Sequence, residues 1–90
     1  MIQLGGNIAL EGFEQLDPGV LVVVKKVVGS YAKKFGDFKG LFSKFEVLKD
    51  GNKVTFRVTG EQALMEGSAE EPNLFFAMSK AMNDLTSRNS

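Results

Sequence analysis

Apolar and polar positions alternate along the chain in two distinct periods, and the period changes mark where one element gives way to the next. From Asn7 to Glu11, Ile8 and Leu10 alternate with Ala9 and Glu11, which predicts a short strand with one buried and one wet face. From residue 18 the period lengthens. On a 100° wheel Val20, Val24, Val27, Val28, Tyr31 and Phe35 fall on one stripe, with Lys25, Lys26, Lys33 and Lys34 on the opposite side. The β-branched run Val20–Val24 favours strand by propensity alone, but the wheel pattern spans sixteen residues and outweighs it, so a helix is expected. Asp17-Pro18 supplies its start, a carboxylate for the free N–H groups of the first turn followed by a residue that has no N–H to lose. Gly36 is expected to end it near Phe35.

The period then returns to two. Lys39 to Lys49 reads as a strand with Leu41, Phe45 and Val47 inward, and Asp50-Gly51 as a hairpin turn. Lys53 to Thr59 alternates cleanly, with Val54, Phe56 and Val58 on one face. Gly60 is a further turn signal, and Gln62 to Ala69 reads as a weaker strand with Ala63, Met65, Gly67 and Ala69 inward. Asn73 is placed to cap a second helix running to about Ser87, whose apolar stripe is Leu74, Phe75, Met78, Ala81, Met82 and Leu85. Gly5 and Gly6 read as a flexible lead-in, and residues 88–90 as a frayed tail.

The expected fold class is therefore α+β: a single domain over residues 1–90, two layers, in the order β-α-β-β-β-α. A four-stranded mixed sheet in spatial order 1-2-3-4 would carry both helices on one face. The first helix serves as the crossover between two parallel strands, and the last three strands form an antiparallel meander.

Composition narrows the chemistry. The 90 residues contain no Cys and no His, which removes disulfides, thiolate metal sites, His-dependent metal sites and Ser-His-Asp chemistry. Glu70-Glu71 precedes the second helix and suits its positive end, with no nucleophile or second acid–base group beside it. Asp37, Glu46 and Asp50 lack the spacing of a metal loop, and the glycines do not form a phosphate loop. No enzymatic activity, no metal and no cofactor are expected. The longest apolar run, Val20 to Val24, is too short to cross a bilayer, and the first residues carry no secretory signal, so no membrane association and a cytoplasmic location are expected.

The 11 basic and 11 acidic residues cancel, but not locally. Residues 18–53 hold eight lysines against three acids, whereas residues 1–17 hold three acids and no base. The lysine side of the first helix has two readings: a solvated face that maintains solubility, or a set of phosphate contacts on structured RNA. Val22 and Val23 lie within or beside that lysine side, and with the uncovered sheet face they suggest a homodimer or protein contact. The run Lys39-Gly40-Leu41-Phe42-Ser43-Lys44-Phe45 faintly suggests an aromatic base-stacking strand, with Phe42 outward. Packing of Phe42 at the sheet edge or in an interface is the alternative.

The element order, together with the run Gly67-Ser68-Ala69-Glu70-Glu71-Pro72-Asn73-Leu74-Phe75-Phe76-Ala77-Met78 and the strand–turn–amphipathic helix of Gly12 to Phe35, resembles the ribosome hibernation-promoting factor family. That resemblance implies a non-enzymatic domain whose partner is the small ribosomal subunit. The matching basic positions are Lys25, Lys26, Lys33 and Lys34 on the first helix and Lys80 and Arg88 on the second. The alternative is a small homodimeric or protein-interaction domain with no nucleic-acid role.

Overall fold

The computed structural model describes residues 2–4, 7–39, 43–60 and 64–88, with backbone alone at 35–39 and 88. The order of elements is β1 (Ile2–Gln3), β2 (Ile8–Glu11), α1 (Pro18–Lys39), β3 (Lys44–Asp50), β4 (Lys53–Thr59), β5 (Leu64–Glu70) and α2 (Leu74–Arg88). They form one mixed five-stranded sheet in the order β1-β2-β3-β4-β5.

This corrects the expected four-stranded sheet. The additional strand is β1, which pairs antiparallel with β2 through Ile2 opposite Leu10 and Gln3 opposite Ala9. Two residues are too few for alternation to register, so nothing in the period-two pattern announces the strand. Gly5 and Gly6, read as a lead-in, lie outside the described residues, as do Leu41, Phe42, Ala63, Asn89 and Ser90.

From β2 onward the sheet is a parallel β2–β3 pair followed by an antiparallel meander. The registers place Leu10, Val47, Phe56 and Gly67 in one row across four strands and Phe45, Val58 and Met65 in the next, all on one face. That face is covered. Phe45, Val47, Val54, Phe56 and Val58 share one buried cluster with Val24, Val28 and Ala32 of α1 and with Ala77, Met78, Ala81, Met82 and Leu85 of α2. Tyr31 of α1 meets Phe56 edge-on at 5.7 Å, and Phe45 meets Phe56 at 5.8 Å. Each such aromatic pair adds about 1 kcal/mol beyond the area it buries.

Two glycines set how closely the layers approach. A Cβ on Gly67 would lie 2.3 Å from the Leu85 nitrogen and 2.7 Å from the Ala81 carbonyl oxygen, so α2 rests directly on the backbone of β5. Gly12, at φ 86°, carries the chain out of β2 against the Lys49 carbonyl, where a Cβ would come within 2.1 Å of the oxygen. The turn that follows sends Phe13 into the core, fully buried.

Both helix starts are capped. The Asp17 carboxylate accepts the Gly19 N–H at 2.8 Å, and the Asn73 side-chain oxygen accepts the Phe76 N–H at 3.0 Å. Past its expected stop, α1 carries Gly36 inside the helix and continues to Lys39, so β3 begins only at Lys44. Its buried stripe is centred on Val24, Val28 and Ala32 with Leu21 beside it. Val20, expected inward, lies on the flank and is exposed.

Candidate nucleic-acid interface

Successive α-helical positions advance by 100°, so residues three and four apart share a face. With Val24 and Val28 fixed in the core, the row turned away from the sheet is Val22, Lys26, Gly29 and Lys33, flanked by Lys25 on one side and Val23, Ser30 and Lys34 on the other. All eight residues are exposed. Val22 retains 53% and Val23 47% of its accessible surface.

Residues 18–36 contain these four lysines and no acid; Asp37, one turn beyond Lys33 in the same helix, has its side chain outside the described residues. Three acids elsewhere pair with other bases: Lys44 with Glu46 at 3.6 Å, Arg57 with Glu66 at 3.0 Å and Lys80 with Glu71 at 2.8 Å. Lys25, Lys26, Lys33 and Lys34 make no ion pair with any described side chain. Their ammonium groups fall into two pairs. Lys26 and Lys33 are seven residues apart, which separates them by about 10 Å along the axis. Between the pairs stand Gly29 and Ser30. A Cβ built on Gly29 would meet nothing within 4 Å.

Of the remaining sequence-derived candidates, Lys80 is on α2 with its ammonium in the Glu71 pair and 4.9 Å from the centre of the Phe76 ring. Arg88 is the last residue of α2 and its side chain lies outside the described residues, as does the whole of Phe42. The unneutralised positive surface among the described residues of the two helices is thus confined to α1. Gly29 stands out only once the outward row of α1 is known. Its signal in the sequence is a glycine in the middle of a helical wheel, on the row opposite the core.

The sheet face away from the helices is different in kind. Glu46, Arg57 and Glu66 stand opposite one another across β3, β4 and β5, and Lys53 faces Glu70 beside them. This face forms an open groove of 660 Å³ whose lining includes Glu11, Lys49, Lys53, Arg57, Glu66 and Asp84. Charges of both signs alternate across it, and β3, β4 and β5 place no aromatic side chain on it. Among the described residues no three His, Cys, Asp or Glu side chains gather as a metal site would need. No helix among them is long and apolar enough to cross a membrane.

No model of a known protein family matches the chain, and no curated protein is significantly similar to it.

Proposed function

We propose that this chain is a non-enzymatic accessory domain that binds structured RNA, on its own or as part of a small ribosomal subunit, through the exposed face of α1. The observation that carries the reading is the clustering of unpaired bases: Lys25, Lys26, Lys33 and Lys34 share one exposed helix face with no described carboxylate within 4 Å, whereas Lys49 and Lys53, also without an ion pair among the described residues, line the sheet groove together with Glu11, Asp50 and Glu66. A row of ammonium groups with no described counter-charge can neutralise phosphates, and the release of the cations condensed on the nucleic acid drives association. Recognition of this kind reads shape and backbone, so it requires neither a pocket nor an acid–base pair. The resemblance of residues 67–78 and 12–35 to hibernation-promoting factors points in the same direction.

The test is binding of the wild-type chain and of a K25Q/K26Q/K33Q/K34Q variant to purified small ribosomal subunits and to a structured RNA. Glutamine is nearly as good a helix former as lysine, so the substitutions leave the fold intact. Four phosphate contacts give a slope of about −3 to −4 in log affinity against log salt, or roughly a hundredfold loss between about 50 and 200 mM. The variant should bind weakly at both concentrations with a slope near zero. Undetectable wild-type binding at low salt, or a variant that binds as the wild type does, would exclude the reading.

A second reading rests on Val22 and Val23, the most exposed apolar residues among the described side chains of α1. Two copies meeting through this helix would bury them in a homodimer, and in that case the lysines are solubilising rather than phosphate-binding.

A further inference from the structure

Gly29 is unexplained by anything among the described residues. A mid-helix glycine costs about 1 kcal/mol relative to alanine. At Gly67 and Gly12 the reason for glycine is visible, since a Cβ would strike the backbone of α2 in one case and the Lys49 carbonyl in the other. At Gly29 there is open space for a side chain, and its φ is not among the positive values of the chain. What distinguishes the position is its place on the outward row, midway between Lys25 and Lys26 on one side and Lys33 and Lys34 on the other.

We propose that Gly29 is the point of closest approach to a double-stranded RNA, with α1 seated across the mouth of the groove between two phosphate rows, the Lys25/Lys26 pair on one row and the Lys33/Lys34 pair on the other. This rests on the RNA-binding reading above and names the form of RNA. A-form duplexes have a deep, narrow major groove flanked by phosphates, a target for backbone contacts rather than base readout. Long, flexible lysine stems reach sideways to the rows, while the helix surface between them descends toward the groove mouth. A side chain at position 29 would prop the helix away from it. A single strand lying along α1 would present phosphates continuously, and a further base midway would serve it better than a bare backbone. Single strands are also usually held by aromatic stacking, and the sheet face formed by β3, β4 and β5 offers no aromatic platform.

The experiment compares wild type, Gly29→Ala, Gly29→Gln and the quadruple Lys→Gln variant in low salt by fluorescence anisotropy. The probes are a mixed-sequence RNA duplex of about 20 base pairs and one of its strands, chosen to be unstructured. Circular dichroism of each variant verifies that the helix is retained. Wild type should prefer the duplex by about tenfold, and Gly29→Gln should lose most of that preference while holding the single strand as before. Gly29→Ala, which adds one small group, should keep most of the duplex affinity. Equal affinity for duplex and single strand, or a Gly29→Gln variant that binds duplex as wild type does, overturns the seating. If the quadruple variant still loses binding in that case, RNA binding through α1 stands without it. A quadruple variant that retains full affinity for both probes overturns both.

Discussion

At the scale of single residues, three glycines answer to different physical demands, and the same substitution should have opposite effects at two of them. Gly67→Ala drives a methyl group into the backbone of α2, which can only move as a unit, so a loss of about 3 kcal/mol is expected. Gly29→Ala meets no atom within 4 Å and removes a helix penalty, so a gain of about 1 kcal/mol is expected. In a chain of this size 1 kcal/mol moves the midpoint of thermal unfolding by about 4–8 °C. Calorimetry should therefore place Gly29→Ala several degrees above wild type and Gly67→Ala far below it. If both lowered the midpoint, α1 would have to be packed on its outward row after all. Gly67 was legible in the sequence as an inward position, but the need for glycine there was not, because it comes from the approach of a helix fourteen or more residues away. Phe13 escaped detection for a related reason. It sits alone in a polar turn, outside any periodic run, and reaches the core only because Gly12 bends the chain at positive φ.

At the scale of elements, local hydrogen bonding made the starts of both helices readable, and the ends were harder. Asp17 and Asn73 offer their side-chain oxygens to N–H groups two and three residues ahead, an interaction complete within one turn and so encoded locally. Asp17→Ala and Asn73→Ala should each cost about 1 kcal/mol, measured as a shift of the urea midpoint at unchanged slope. A much smaller effect at either would mean that water or a neighbouring group satisfies the first turn equally well. The far end of α1 has no such local determinant. Gly36 suggests a stop, but a glycine ends a helix only when the chain turns there, and this helix continues to Lys39. β4 was legible to its ends because its alternation runs unbroken through seven residues, whereas β1, with two, was invisible. The exposed pair Arg57–Glu66 joins β4 to β5 on the wet face at 3.0 Å. A double-mutant cycle there should return no more than about 1 kcal/mol, since both groups keep much of their hydration. The meander is held chiefly by Val54, Phe56 and Val58 on its other face.

At the scale of the whole molecule, a net charge of zero conceals a separation that is set by the fold. The lysine content of residues 18–53 was plain in the sequence, but which bases are neutralised was not, because Lys80 meets Glu71 and Arg57 meets Glu66 only once the strands and α2 are in place. Lys49 and Lys53 stay among the acids of the sheet groove, and on one face of α1 Val22 and Val23 lie among four lysines that no described carboxylate neutralises. RNA binding and self-association through that face respond to salt in opposite directions, and this separates them. A twofold contact through this row would set lysines of one helix against lysines of the other, with the two helices about 10 Å apart. Like charges that close repel at low ionic strength, and at about 0.1 M the screening length is itself about 10 Å. A dimer through α1 would therefore tighten as salt is added, while displacement of counterions by phosphates makes RNA affinity fall over the same range. Sedimentation velocity at micromolar concentration should show a monomer at low salt, where RNA binds most tightly, and any self-association appearing at high salt should vanish in a V22S/V23S variant. A dimer already complete at low salt and abolished by those two substitutions would mean that the valines, not the lysines, define what this helix is for.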